Sequence, residues 1–163
     1  MKKLIIALVV IAAVGAAGFG IYEAMFYNAW PILQELPRYK EREIYSVDNF
    51  TDGSYYAKFT YRNVTEEDLK EAEDFSRITK EDATKILHSI SCYEDFINNM
   101  EMEEITENYD FDKSVVTEDD YYYMESGEGF YQDENGNVSE TGFISLYYFD
   151  TESQVLYYFY NSI

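Results

Sequence analysis

Two segments near the C-terminus, Gly142 to Phe149 and Val155 to Asn161, carry large apolar side chains on both faces of what their alternation marks as strands. In the first, Phe143, Tyr147 and Phe149 share one face, while Ile144, Leu146 and Tyr148 share the other. In the second, Val155, Tyr157 and Phe159 oppose Leu156, Tyr158 and Tyr160. Successive side chains point to opposite faces of a strand, so this pattern needs a sheet covered on both faces, or covered on one and lined with tyrosine on the other. Both segments are therefore expected at the centre of a sheet, joined as a hairpin through Asp150-Thr151-Glu152-Ser153-Gln154.

The remaining elements follow from period and punctuation. After the turn signal Thr51-Asp52-Gly53-Ser54, Tyr55, Ala57, Phe59 and Tyr61 alternate with Tyr56, Lys58, Thr60 and Arg62, the period of a half-buried strand. Asp120 to Ser126 reads as another strand, followed by an Asn-Gly turn signal within Asp133 to Asn137. Thr65-Glu66-Glu67-Asp68 and Thr79-Lys80-Glu81-Asp82 are both helix starts, each with a capping threonine and a carboxylate three residues on. The second opens the clearest helix, because Ala83, Ile86, Leu87, Ile90, Tyr93, Ile97 and Met100 recur at three- and four-residue steps. The fold class expected is α+β: an N-terminal transmembrane helix, then an antiparallel sheet of about four strands packed against two helices.

Met1-Lys2-Lys3 precedes an uncharged stretch from Leu4 to Tyr22, close to the ~20 residues that span a bilayer. Tyr22, Tyr27 and Trp30 sit where an interfacial aromatic belt would lie, and Glu23 is the first acidic residue. This reads as a signal-anchor over 1–22, a juxtamembrane stalk over 23–49 holding Pro31 and Pro37, and an acidic extracytoplasmic α+β domain over 50–163. Lys2 and Lys3 favour the cytoplasmic side, leaving the bulk of the chain outside, anchored to the membrane. The alternative is secretion after cleavage, since Gly15-Ala16-Ala17 and Ala16-Ala17-Gly18 have the small-residue spacing a signal peptidase reads.

Charge narrows the partners. The chain carries 32 Asp and Glu against 12 Lys and Arg, a net charge of -20, which repels phosphate backbones and argues against nucleic-acid binding by the folded part. One cysteine excludes an internal disulfide, and one histidine excludes a histidine-rich metal cage. His88 and Cys92 share a helix side with Glu81 and Asp95, but one helix seldom completes a tetrahedral site, so a solvated face is the reading taken. Asp133, Asn135 and Asn137 alternate like calcium-loop ligands, yet Gly136 is at the fourth place instead of the sixth and Ile144 stands at the twelfth. No nucleophile elbow, phosphate-binding glycine loop or zinc motif occurs, so no catalytic residue, metal ligand or cofactor is assigned.

Tyrosine is the remaining anomaly, at 18 residues against 11 phenylalanines and one tryptophan. Rings among acids give contact area at small entropy cost, which makes Tyr121, Tyr123, Tyr158 and Tyr160 the candidate binding residues for a basic protein or glycan partner. The function expected is that of a non-enzymatic, membrane-tethered extracytoplasmic binding domain. The alternative is an extracytoplasmic hydrolase using paired carboxylates.

Overall fold

The structure, a computed structural model, describes residues 30–48, 53–126, 130–132, 138–140 and 144–161. These hold strands β1 (Glu41–Asp48), β2 (Gly53–Thr60), β3 (Ser76–Arg77), β4 (Tyr121–Ser126), β5 (Phe130–Gln132), β6 (Val138–Glu140), β7 (Ile144–Asp150) and β8 (Val155–Asn161). Helices α1 (Glu66–Glu71), α2 (Lys80–Asn99) and α3 (Glu103–Thr106) lie between β2 and β4 in the chain. The chain divides into two units, 1–38 and 39–163. In the first, the described residues form a 3-10 turn, Pro31–Gln34, begun by a proline whose fixed φ suits that position; Ile32, Leu33 and Leu36 are buried.

In the second unit six strands form one antiparallel sheet in the order β1-β2-β8-β7-β4-β3, and β5 pairs with β6 in a separate ladder. The hairpin with apolar residues on both faces is central, as its composition requires, and every residue of β7 is buried. Neighbouring side chains across the ladders set the layers. Tyr56, Phe159 and Leu146 stand in one row on one face, with Tyr148 a step along, and meet Ile86, Ile90, Tyr93 and Ile97 of α2 in a single cluster. Those four helix residues are at most 1% exposed, worth about 1.5–3 kcal/mol each on full burial.

Both helix starts carry a complete capping box: the Thr65 and Thr79 hydroxyls accept from the amides of Asp68 and Asp82, whose carboxylates accept from the threonine amides in return. The end of α2 differs from the periodic reading. Met100 is 56% exposed, because the helix stops at Asn99 and the chain reverses through Glu101 at φ 52°. The Met102 amide then donates to the Ile97 carbonyl at 3.0 Å and the Glu101 amide to Asn98 at 3.2 Å, a Schellman closure. This turn swings Met102 into the core position that continued helix would have given Met100.

The sheet has six strands where about four were expected, and α3 is a short third helix. Strand β1 falls within the 23–49 segment read as a stalk, yet it pairs with β2 along all eight residues. Its sequence, with Glu41, Arg42 and Glu43 leading, suits an edge strand and hides the period-two signal. Strand β3 is two residues long, below what alternation can reveal. The segment 1–22 read as a transmembrane helix and the Asn-Gly turn of 133–137 lie outside the described residues. Among the described residues no helix is long and apolar enough to cross a membrane.

One buried charge ties these pieces. Asp120 is 2% exposed, and its carboxylate accepts from the Thr117 amide and hydroxyl, the Tyr148 hydroxyl, and the Thr151 amide and hydroxyl, all within 3.0 Å. Replacing it with alanine takes an acceptor from the buried Tyr148 hydroxyl and unties the more accessible Thr117 and Thr151. Urea unfolding of Asp120→Ala should show a loss of about 1–3 kcal/mol, and a loss under about 0.5 kcal/mol would mean that water substitutes for the carboxylate.

Candidate functional site

The face of the sheet turned away from α2 carries a continuous run of tyrosine rings. Register places Tyr123 of β4 opposite Tyr147 of β7, Tyr147 opposite Tyr158 of β8, and Tyr160 opposite Tyr55 of β2. Centroid distances follow: 6.1 Å from Tyr123 to Tyr147, 4.2 Å from Tyr147 to Tyr158 with the planes 24° apart, 6.1 Å from Tyr158 to Tyr160, and 5.5 Å from Tyr160 to Tyr55. Five rings thus cross four strands without a gap. Such pairs add about 0.5–1.5 kcal/mol each beyond area burial, so the ladder is part of the fold as well as a surface.

Burial is graded along it. Tyr147 and Tyr158 are 8% and 7% exposed, whereas Tyr55, Tyr123 and Tyr160 are half-buried. Burial pushes the Tyr147 phenol well above its ordinary pKa, with the neighbouring Tyr158 adding to the effect, and burial raises Tyr158 too. Both remain neutral hydroxyls at physiological pH. At one end the Tyr123 hydroxyl donates to Glu125, an exposed carboxylate.

Three of the four tyrosines singled out from sequence, Tyr123, Tyr158 and Tyr160, therefore belong to one ladder. Tyr121 shares their face but stands in the next row, buried between Phe149 and Arg77. Tyr55 and Tyr147 join the ladder unannounced, since only the register of β2 and β7 against β8 brings them in. A tyrosine at the matching phase of each strand was the available signal, and it needed the strand order to be read.

The acids sort into local pairs. Lys58 lies 3.1 Å from Glu43 and 2.8 Å from Asp110, and the Tyr56 hydroxyl donates to Asp110 at 2.7 Å. Burial alone would raise the Asp110 pKa, but the hydrogen bonds from Lys58 and Tyr56 outweigh it and hold the carboxyl below its usual range. Glu43 is lowered by the Tyr45 hydroxyl and then by Lys58. Asp68 and Asp82 are lowered by their capping threonines. Among the described residues every carboxyl with a resolved displacement moves downward, the opposite of what a general acid needs.

The helix face considered for a metal is occupied otherwise. Cys92 Sγ and His88 Nε2 are 3.8 Å apart, Cys92 packs on the edge of the core, and Glu81 pairs with Lys85 at 2.9 Å. Among the described residues no group of three or more His, Cys, Asp or Glu is placed to hold a metal ion.

A pH dependence follows from the Lys58 cluster. Carboxyls depressed in the native state stabilise the fold above their ordinary values, 3.8 for Asp110 and 4.5 for Glu43, and that contribution is lost as pH falls through the lower native values. Lys58→Met should cost on the order of 1 kcal/mol at about pH 7, after allowing for solvent screening, and almost nothing below about pH 3. Paired urea titrations check this, and a pH-independent difference would assign the loss to packing of the lysine stem. No protein-family model, curated protein or solved structure matches the chain, so the arrangement of these residues is the basis for a functional reading.

Proposed function

We propose that this chain is a non-enzymatic, membrane-tethered extracytoplasmic binding domain that uses the tyrosine ladder to dock a cationic segment of a partner protein. The observation that carries the reading is the unbroken run of five rings over β4, β7, β8 and β2. Half-buried rings at Tyr55, Tyr123 and Tyr160 offer π faces and hydroxyls, which suit lysine and arginine side chains. The charge balance points the same way. Lys40, Lys58, Lys70, Lys85 and Lys113 each lie within 3.1 Å of a carboxylate, and the large remaining excess of acid attracts a basic partner over distance. A glycan stacking on the same rings is the outcome that the capture experiment below distinguishes.

The hydrolase reading draws less support, because the displaced carboxyls are held ionised by lysines, threonines and tyrosines, and none is poised to deliver a proton. The tether rests on Lys2, Lys3 and the uncharged run that follows.

Capture with the full chain from an extracytoplasmic extract should recover a basic protein whose binding falls steeply as salt rises. Tyr123→Ser and Tyr160→Ser should each weaken it about tenfold, measured below the melting temperature that the loss of ring contacts lowers. Salt-insensitive capture blocked by free sugars would assign the face to a glycan, and equal binding by both variants would remove the ladder from the interface. For the tether, a reporter active only outside the cytoplasm and fused after Ile163 should give signal. A signal from a cytoplasm-only reporter would reverse the topology.

A further inference from the structure

At the β3 edge of the sheet, Arg77 pairs directly with Tyr121 of β4, so the two side chains stand side by side on the face away from α2. Both line a cleft of about 320 Å³ with Val64 and Leu69 as its apolar wall. That volume is at the small end of ligand sites and equals about ten waters, room for a ligand of roughly that many non-hydrogen atoms.

The polar groups of the cleft differ in what they have left to offer. Asp119 pairs with Arg77 through Oδ1, and Glu66 with Lys70 through Oε1 at 2.7 Å, so each acid has one oxygen engaged and a cation beside it. Tyr121 is 4% exposed, lines the cleft, and its hydroxyl has no hydrogen-bond partner among the described residues. The ring is buried while the hydroxyl opens to solvent, where a ligand can reach it. Arg77 is fixed by Nε donating to the Glu118 carbonyl at 3.0 Å and Nη2 to Asp119, which leaves Nη1 unused among the described residues. The donor capacity the cleft has to spare is a hydroxyl and a guanidinium edge on cross-strand neighbours.

We propose that this cleft binds a small monocarboxylate with a short apolar tail, its carboxylate gripped by the juxtaposed Arg77 guanidinium and Tyr121 hydroxyl and its tail laid on Val64 and Leu69. Guanidinium and carboxylate match in shape and charge. Glu66 and Asp119 on the rim, and the net charge of -20 around them, select against phosphates and other multiply charged anions. Two sources share this chemistry, a free branched-chain acid and the C-terminus of a peptide. The site is separate from the ladder and does not depend on its role.

Ligand-observed NMR titration of the full chain with 4-methylpentanoate, N-acetyl-leucine, N-acetyl-leucinamide and inorganic phosphate tests it. At least one of the two carboxylates should bind, and the amide should bind about tenfold more weakly or worse, since it lacks the charge that Arg77 pairs with. Binding of 4-methylpentanoate alone assigns a free acid, and binding of N-acetyl-leucine alone assigns a peptide terminus. Tyr121→Phe and Arg77→Gln should each weaken the carboxylate by about tenfold. Tyr121→Phe should leave the melting temperature unchanged, because the hydroxyl it removes has no partner among the described residues. Absence of binding by both carboxylates, an amide as good as the acid, tighter binding of phosphate, or unchanged affinity in Tyr121→Phe overturns the proposal.

Discussion

The sheet is held in register by a carboxyl that pairs with no cation among the described residues. Asp120 precedes β4, and its side chain draws donors from the Thr117 loop, from Tyr148 in β7 and from Thr151 in the β7–β8 turn. Its own carbonyl accepts from the Ile78 amide, just beyond β3, at 2.9 Å. A single residue thus fixes four segments of chain. Five donors on two oxygens compensate the burial of this polar side chain by hydrogen bonds. The row that follows, Arg77–Tyr121–Phe149, and the ladder one row beyond inherit their alignment from it.

Tyrosine gives this core a second kind of specification. Tyr56, Tyr93 and Tyr148 are fully buried, and each hydroxyl reaches a different partner: Asp110, the Tyr55 carbonyl, and the Val115 carbonyl together with Asp120. Apolar contact alone would let α2 slide or rotate over the sheet at modest cost. A buried hydroxyl that must find one acceptor forbids most of those placements, because an unmade bond costs about 1–3 kcal/mol. The Tyr93 bond to the β2 backbone is such a pin between helix and sheet.

What could be read from sequence divides along the range of the signals. The capping boxes at Thr65 and Thr79, the stripe Ile86–Ile90–Tyr93–Ile97 and the two-faced hairpin are local patterns with strong periods, and all appear where the residues place them. Strand β1 was missed because its charges mask the alternation of Ile44 with Tyr45 and Val47, and it becomes a strand only through β2. Met100 was misplaced because nothing in Met100-Glu101-Met102 announces a left-handed turn without glycine. At the candidate site, Tyr158 and Tyr160 are near neighbours in sequence, but Tyr55 and Tyr147 enter through strand order, and the separation of Tyr121 depends on register. For β1 and the ladder the missing quantity was topology, which is non-local.

The weight of buried phenol has an alkaline consequence. Tyr56, Tyr93, Tyr109, Tyr147 and Tyr148 are all raised above the ordinary value of 10.0, first of all by burial. In the unfolded chain they ionise near that value, so each favours the native state below it, and the advantage is lost progressively as pH climbs toward the native values. Since the packed interior holds these protons, their release above about pH 10 requires it to open. Phenolate formation at these five residues is therefore coupled to unfolding, and the ultraviolet absorbance they add on ionising reports the integrity of the fold without any added probe.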